Sequence, residues 1–319
     1  MTLRAVLYDA KGDDREVDLE TERTPKVDDD RLFWIDIDDR DIADLAKAAA
    51  AVGLEVEGLR RLAREDRRAR ILRLPDRVVL TLGAVDPKDP EVRRRELDIV
   101  VGANHVITVH DQPLEMLDAF RAEIDHEVEL GRLDAASFVA GLIDSVLRAF
   151  FQQIEAIERD IDALDELAVR SQGGGSFLAT VVTLRRRIAR LRQVLAPNRE
   201  ALLPLERPDF ELRTDLGPVW PGIVQRLERA IDGVENAREL LVGSFDLYLG
   251  RASQRTNDVM KVLTLLSAIA LPGVVVAGIM GMNFKAPIFE DPSNFYLVIG
   301  AMITFSLAIL GVARWRRWI

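Results

Sequence analysis

Two stretches near the end of the chain carry no charge. Val262–Phe284 (VLTLLSAIALPGVVVAGIMGMNF) runs for 23 residues and Phe295–Ala313 for 19. As helices they would extend roughly 35 Å and 28 Å, enough to cross a hydrocarbon layer about 30 Å thick. A buried core helix can be as apolar, but two such runs separated by a short loop predict a transmembrane hairpin. Upstream, apolar residues recur at Trp220, Val224, Leu227, Ile231, Val234, Leu241, Phe245, Tyr248 and Ala252, with Arg238 out of pattern. This is a heptad seam. No proline lies between Pro221 and Pro272, so one helix is predicted from near Pro221 to Asn283, entering the first span without interruption, with Pro272 expected to kink it or to loosen the bond to the preceding turn. Such a seam cannot be buried by its own helix, and it implies partners.

Between Ser137 and Leu203 the pattern predicts a helical hairpin, Phe138–Ala168 and Phe177–Leu195, turning at Gly173-Gly174-Gly175. One limb carries Glu155, Glu158, Asp160, Asp162, Asp165 and Glu166, and the other Arg185, Arg186, Arg187, Arg190 and Arg192. The acidic run could bind cations; the plainer reading is a solvated face paired with the basic limb. In the first 130 residues, β-type runs at Leu3–Tyr8, Leu32–Ile37, Val78–Leu82, Leu97–Val101 and Val106–Val109 mix with helical stretches at Ile42–Val52, Leu59–Arg64 and Leu114–Leu130. The predicted organisation is an α/β domain over 1–130, the helical hairpin over 131–216, a stalk helix over 217–261 and a membrane hairpin over 262–319. Within that hairpin the spans are 262–284 and 295–313, the loop 285–294 and the basic tail 314–319.

Composition sharpens this division. The chain has 319 residues, 53 acidic and 43 basic, with a mean hydropathy near zero. The net charge of −10 is the sum of −12 over residues 1–261 and +2 beyond them. With no cysteine there is no disulfide framework, thiolate metal site or thiol nucleophile. Three scattered histidines, His105, His110 and His126, give little support to a histidine metal centre or triad. The acidic body is unsuited to nucleic acid, despite local runs at Arg67-Arg68 and Arg93-Arg94-Arg95. No glycine-rich phosphate loop or nucleophile elbow occurs, so nothing suggests an enzyme. The N-terminus lacks an apolar stretch of the secretory kind, so no cleaved leader is expected.

Flanking charge sets the expected orientation. Arg251, Arg255 and Lys261 precede the first span and Arg314, Arg316 and Arg317 follow the second, against Lys285 alone between them. Basic flanks stay on the cytoplasmic side, so both termini are expected there, with Trp315 and Trp318 in the headgroup layer. One face of the first span reads Asn257, Met260, Thr264, Ser267, Leu271, Val274, Gly278 and Gly281, smaller and more polar than the Leu/Ile/Val remainder. In a membrane helix such a stripe means either close packing or a water-lined path.

Gly281-Met282-Asn283, at the outer end of the first span, resembles the hallmark of the CorA family of divalent-cation channels. The context agrees: Asn257-Asp258-Val259-Met260-Lys261-Val262-Leu263-Thr264, Pro272, Ala277-Gly278, Phe284 and the terminal Arg316-Arg317-Trp318 are similar to family residues in the same places. Tyr248-Leu249, Glu96-Leu97-Asp98-Ile99-Val100 and Ile107-Thr108-Val109-His110 also look like family segments. The resemblance spans nearly the whole chain and is strongest from Phe245 to Phe284.

The resemblance implies a homopentameric funnel in the inner (plasma) membrane. Its α/β cytoplasmic domains continue through five long stalk helices into the pore, with the second spans outside. Asn283 from each chain would form an oxygen ring with Gly281 and Met282 as the selectivity filter. Neutral amides suit Mg²⁺, which sheds its water reluctantly and can be held through its hydration shell. Asn257, Thr264 and Ser267 would bond the ion's waters, while Met260, Leu263, Leu271 and Val274 would form apolar constrictions, with Gly278 also on the lining. The cargo implied is Mg²⁺, with Co²⁺ and Ni²⁺, and no enzyme cofactor. Cytoplasmic Mg²⁺ between subunits would hold the pore closed, with Asp246, Glu65 and Asp66 as candidate ligands. Gly222 stands near where some members carry a sensing acid. A pentamer would gather about sixty negative charges on the inner side.

Two departures from the family pattern leave a ZntB-like branch open, which moves Zn²⁺ and can couple to protons. Met280 replaces the aromatic residue usual before the motif, and the outer loop carries Lys285 ahead of Glu290 and Asp291. A reading from another class, a coiled-coil scaffold anchored by a plain hairpin, would make Asn283 dispensable.

Overall fold

The computed structural model describes residues 3–9, 14–19, 31–55, 59, 68–74, 77–126, 135–170, 174–206, 220–282 and 292–316. The chain divides into two compact units, one of residues 1–167 with 173–244 and the other of 168–172 with 245–319.

The first unit is built on a seven-stranded sheet. Its strands are β1 (Leu3–Asp9), β2 (Arg15–Glu16), β3 (Arg31–Asp38), β4 (Arg70–Leu74), β5 (Arg77–Ala84), β6 (Arg95–Val101) and β7 (His105–His110). They lie in the order β2-β1-β3-β7-β6-β5-β4, with β3 and β7 parallel and every other pair antiparallel. All five strand expectations correspond to strands here. β2 and β4 are additional, and both are charged edge strands without the apolar run that marks a buried one.

Side chains alternate across the sheet. Phe33, Ile35 and Ile37 of β3 face helix α1 (Ile42–Ala51) and share a core with its Leu45, Ala48 and Ala49. Asp41 caps that helix by accepting from the Ala43 N–H at 3.3 Å, and Gly53 follows it with φ +71°. On the other face Trp34 meets Phe120 of α2 (Glu115–His126) and Phe138 of α3 (Ala135–Arg170), with ring centroids 6.1 Å and 5.3 Å away. Leu59 is helical and buried, and the rest of the expected helix Leu59–Arg64 lies outside the described residues.

The helical hairpin is α3 and α4 (Gly174–Leu202), followed by a 3₁₀ turn at Leu203–Glu206. Gly174 and Gly175, expected in the turn, are helical instead: they open α4, while Gly173 lies outside the described residues. Asn198 of α4 acts as a strand surrogate. Gly83 N–H donates to its Oδ1 and its Nδ2 donates to Gly83 C=O, both at 2.8 Å, beyond the point where β4 stops pairing with β5.

The long helix α5 (Trp220–Met280) is continuous across Pro272. Its buried positions are Trp220, Ile223, Leu227, Ala230, Val234, Ala237, Leu241 and Ser244, a 3-4 repeat. The seam read from the sequence therefore holds at Trp220, Leu227, Val234 and Leu241. Its other flank is corrected: Ile223 and the small residues Ala230 and Ser244, each one position earlier, occupy the buried line in place of Val224, Ile231 and Phe245, which are only half covered. Bulk misled the sequence reading, because a close approach needs small residues. A Cβ on Gly233 would stand 3.2 Å from Ile154 Cδ1 of α3, so part of the seam is covered within the chain itself.

In the second unit α5 ends at Met280, short of the expected Asn283. Gly281 N–H still bonds Ala277 C=O at 2.9 Å, while Met282 N–H reaches Ile279 C=O in a tighter turn. Helix α6 runs Pro292–Trp315, three residues earlier and two later than the apolar run alone indicated. Charge-free length defines a span and not the whole helix. Among the described residues three helices are long and apolar enough to cross a membrane, in Ala135–Val169, Trp220–Met280 and Asn294–Trp315. The apolar window of the first is 67% buried in the protein, whereas those of the other two are 0% buried.

Candidate ion pathway

Successive residues of an α-helix are about 100° apart, so the faces of α5 in the second unit can be laid out around its axis. The half-covered positions are Lys261, Leu265, Ile269, Pro272, Gly273, Val276 and Met280. Ile269, Pro272, Gly273 and Val276 share a groove of about 420 Å³ with α6, whose own half-covered line includes Val298, Met302 and Ser306. This is the face that α6 occupies.

The polar and small stripe lies on the other side. Val276 is nine residues from Ser267, about 900°, which places it half a turn away around the axis. Met260 and Gly278, eighteen residues apart, coincide in angle. Asn257, Met260, Leu263, Thr264, Ser267, Leu271, Val274, Gly278 and Gly281 are all exposed in the protomer, as is Met282. The stripe is thus not a seat for the chain's own second apolar helix.

Local chemistry along the stripe is modest. The Thr264 hydroxyl donates to Met260 C=O at 2.8 Å, which leaves its oxygen lone pairs facing outward. A Cβ at Gly278 would meet nothing within 4 Å, whereas one at Gly281 would press on Ala277 O at 3.3 Å, at the helix end where the chain tightens. Gly281 therefore has a local reason to be glycine, and Gly278 has none within the protomer.

Asp246 is also exposed. It precedes Asn257 by eleven residues, about three turns plus 20°, so its carboxylate lies on the same side of α5 as the stripe. Ser253, four residues before Asn257 and so one turn plus about 40° away, is exposed on the same side. Asn283, Lys285, Glu290, Asp291, Glu65 and Asp66 lie outside the described residues. Among the described residues no group of three or more His, Asp or Glu side chains is arranged to hold a metal ion.

The basic limb of the hairpin does not pair with the acidic limb alone. Arg187 pairs with Asp160, but Arg190 donates to Glu91 C=O at 2.7 Å and Arg192 pairs with Glu235 of α5 at 3.2 Å. The basic limb thus ties three elements together.

The chain as a whole is similar to known proteins. The Cobalt/magnesium transport protein CorA of Thermotoga maritima is 27% identical over 247 residues, 76% of this chain and 70% of that protein. The Divalent cation transporter CmaX of Pseudomonas aeruginosa is 27% identical over 233 residues, 69% of this chain and 67% of that one. The complete structure of the CorA magnesium transporter from Methanocaldococcus jannaschii superposes with a TM-score of 0.76 at 20% identity, covering 100% of both chains. The model of the family described as CorA-like Mg²⁺ transporter protein matches residues 29–314, which takes in strands β3 to β7, the hairpin, the long helix and nearly all of the last apolar helix; the chain belongs to that family.

Proposed function

We propose that this protein is a membrane transporter of divalent metal cations, with Mg²⁺ as its main cargo and Co²⁺ and Ni²⁺ as further ones. Proteins of the family are ion transporters and not enzymes. The observation that carries the reading is the placement of the stripe: Asn257, Thr264, Ser267 and Gly278 lie on the face of α5 away from α6. An anchor hairpin has no use for hydroxyl and amide groups on that face, whereas a ring of α5 helices around an aqueous path would line it with them.

In this proposal five copies assemble about α5. The spans are α5 from Val262 and α6, and both termini are cytoplasmic in the inner membrane. The Asn283 side chains hold the hydrated ion at the outer mouth beside Gly281 and Met282. Leu263, Leu271 and Val274 narrow the path, and Asp246 places a carboxylate on the same line nearer the cytoplasm. Mg²⁺ bound by Asp246, Glu65 and Asp66 between subunits favours the closed state by offsetting repulsion among carboxylates. Lys285 and Met280 favour a second reading, a ZntB-like Zn²⁺ transporter coupled to protons.

Purified protein in proteoliposomes tests the proposal, with uptake of Mg²⁺, Co²⁺, Ni²⁺ and Zn²⁺ measured with and without a pH gradient. Asn283→Ala is expected to abolish uptake without changing assembly, and normal uptake by this variant would refute the path. A Zn²⁺-selective flux that follows the pH gradient would replace the first reading by the second.

A further inference from the structure

β3 and β7 run parallel side by side, with Asp36 opposite Thr108 and Asp38 opposite His110 in register. The helix after β3 packs on one face of the sheet and the helix after β7 is drawn to the other, so a cleft opens where the two strands end. Its volume is about 180 Å³, and its charged lining is Arg4 of β1, Asp36 and Asp38 of β3, His110 of β7, and Asp118 and Arg121 of α2. The Asp118 side chain, 69% exposed, brings the cleft to solvent.

His110 is 4% exposed. Its Nδ1 lies 2.8 Å from Gln112 C=O, and a carbonyl can only accept, so Nδ1 carries a hydrogen whether the ring is charged or neutral. Nε2 therefore holds a hydrogen only in the imidazolium. That nitrogen stands 3.3 Å from Asp36 Oδ1. The contact is an ion pair when the ring is charged; when it is neutral, a lone pair faces a carboxylate oxygen.

Asp36 is the hub of what this contact governs. Its Oδ1 also accepts from the Thr108 hydroxyl at 2.5 Å, and its Oδ2 accepts from Arg121 Nη2 at 3.0 Å. Trp34 Nε1 donates to the Thr108 oxygen at 3.0 Å, and the Arg121 guanidinium lies 4.7 Å above the Trp34 ring. Arg121 is on α2, next to Phe120, whose ring is 5.2 Å from that of Phe138 on α3. A Cβ on Gly141 would come within 2.8 Å of Phe120, so α2 and α3 are closely engaged.

We propose that His110 is a proton-operated latch: charged, it completes the Asp36 and Arg121 cluster that holds α2 on the sheet, and neutral, it releases that end of α2. The facing charges balance only in the first state, with Asp36, Asp38 and Asp118 against Arg4, Arg121 and the imidazolium. Arg95 of β6 does not alter this, since it donates to Gln112 Oε1 and Pro113 C=O and pairs with Asp86.

Burial by itself pushes His110 down, but the Asp36 carboxylate, the Gln112 carbonyl and Asp38 together raise it above its ordinary 6.5. Burial likewise pushes Asp36 up, yet His110, Thr108 and Arg121 leave it below 3.8. A raised histidine contributes stability that is complete below 6.5 and lost as pH climbs through the raised value. Acid closes the latch and a rise in pH through the raised value opens it, while Asp36 stays ionised.

Hydrogen exchange on the full-length protein in detergent micelles, corrected for intrinsic rates, tests this at pH 6.5 and pH 9. Glu115–His126 is expected to exchange about tenfold faster at the higher pH, with Ile42–Ala51 of α1 unchanged as the internal control. In His110→Gln, neutral at both values, the pH dependence of α2 is lost, and in Asp36→Asn it is lost as well. If His110→Gln does not fold, Asp36→Asn and the wild-type profile carry the test. Equal α2 exchange at both pH values in the wild type, or a pH dependence kept in either variant, would overturn the latch. So would loosening of α1 together with α2.

Discussion

Gly273 of α5 and Met302 of α6 meet so closely that a Cβ added to Gly273 would stand 2.9 Å from Met302 Cε. Glycine here sets the separation of the two apolar helices. Gly273→Ala is expected to be close to neutral, because the end of a flexible methionine can swing into the adjoining groove. Gly273→Val adds branches at Cβ that Met302 alone cannot evade, and is expected to cost about 1–3 kcal/mol. Met302→Ala in the Val background should recover part of that loss. Thermal unfolding in detergent checks both, and a valine variant as stable as the wild type would mean the helices are not in contact at this level.

Within the sheet, Asp98 is 0% exposed and binds Arg40, whose side chain is 7% exposed. Asp98 also accepts from the Thr81 hydroxyl at 2.5 Å. Asp98→Asn would take its nearest carboxylate from the buried guanidinium, whose contacts to Glu96 are longer, 3.8 Å to the carboxylate and 3.5 Å to the carbonyl. The expected loss is about 3–5 kcal/mol, because taking one partner from a buried ion pair costs more than the pair contributes. Arg40→Met with Asp98→Leu should be far less damaging than Asp98→Asn alone. Urea unfolding measures the difference, and equal midpoints for the two variants would remove the argument.

How much of this could be read from the sequence varies with the element. The five apolar strands were legible because each is a short, nearly continuous apolar run buried on both faces, and the stalk part of α5 because no proline lies between Pro221 and Pro272. The buried line of α5 was half legible: Trp220, Leu227, Val234 and Leu241 stand out by size, but Ala230, Ala237 and Ser244 pack because they are small, which hydrophobicity does not reveal. The stripe from Asn257 to Gly281 was legible as a pattern, since polar groups in an apolar run are conspicuous. Which side of α5 it faces was not, because that depends on α6. The cluster of Asp36, His110 and Arg121 was invisible: its members are 11 to 85 positions apart, and it takes the parallel pairing of β3 with β7 and the packing of α2 on the sheet to bring them together.

The two faces of α5 give a direct test of the path, helped by a chain that has no cysteine. Single cysteines can then be introduced at Thr264, Ser267, Val274 and Gly278 on the stripe, and at Leu265, Ile269 and Val276 on the side of α6. A charged, water-soluble thiol reagent reacts with thiolates and so requires water at the site. Stripe positions in reconstituted protein are expected to react and to lose most divalent uptake, since the adduct would stand in the path. Gly278→Cys is the most telling, because the protomer leaves open space around that position. Positions toward α6 should remain unmodified and keep their flux, being shielded by a helix and by lipid. Reaction on both faces would mean that α5 is surrounded by water, and reaction on neither would mean that the stripe serves helix packing; either result would remove the ion path from this face.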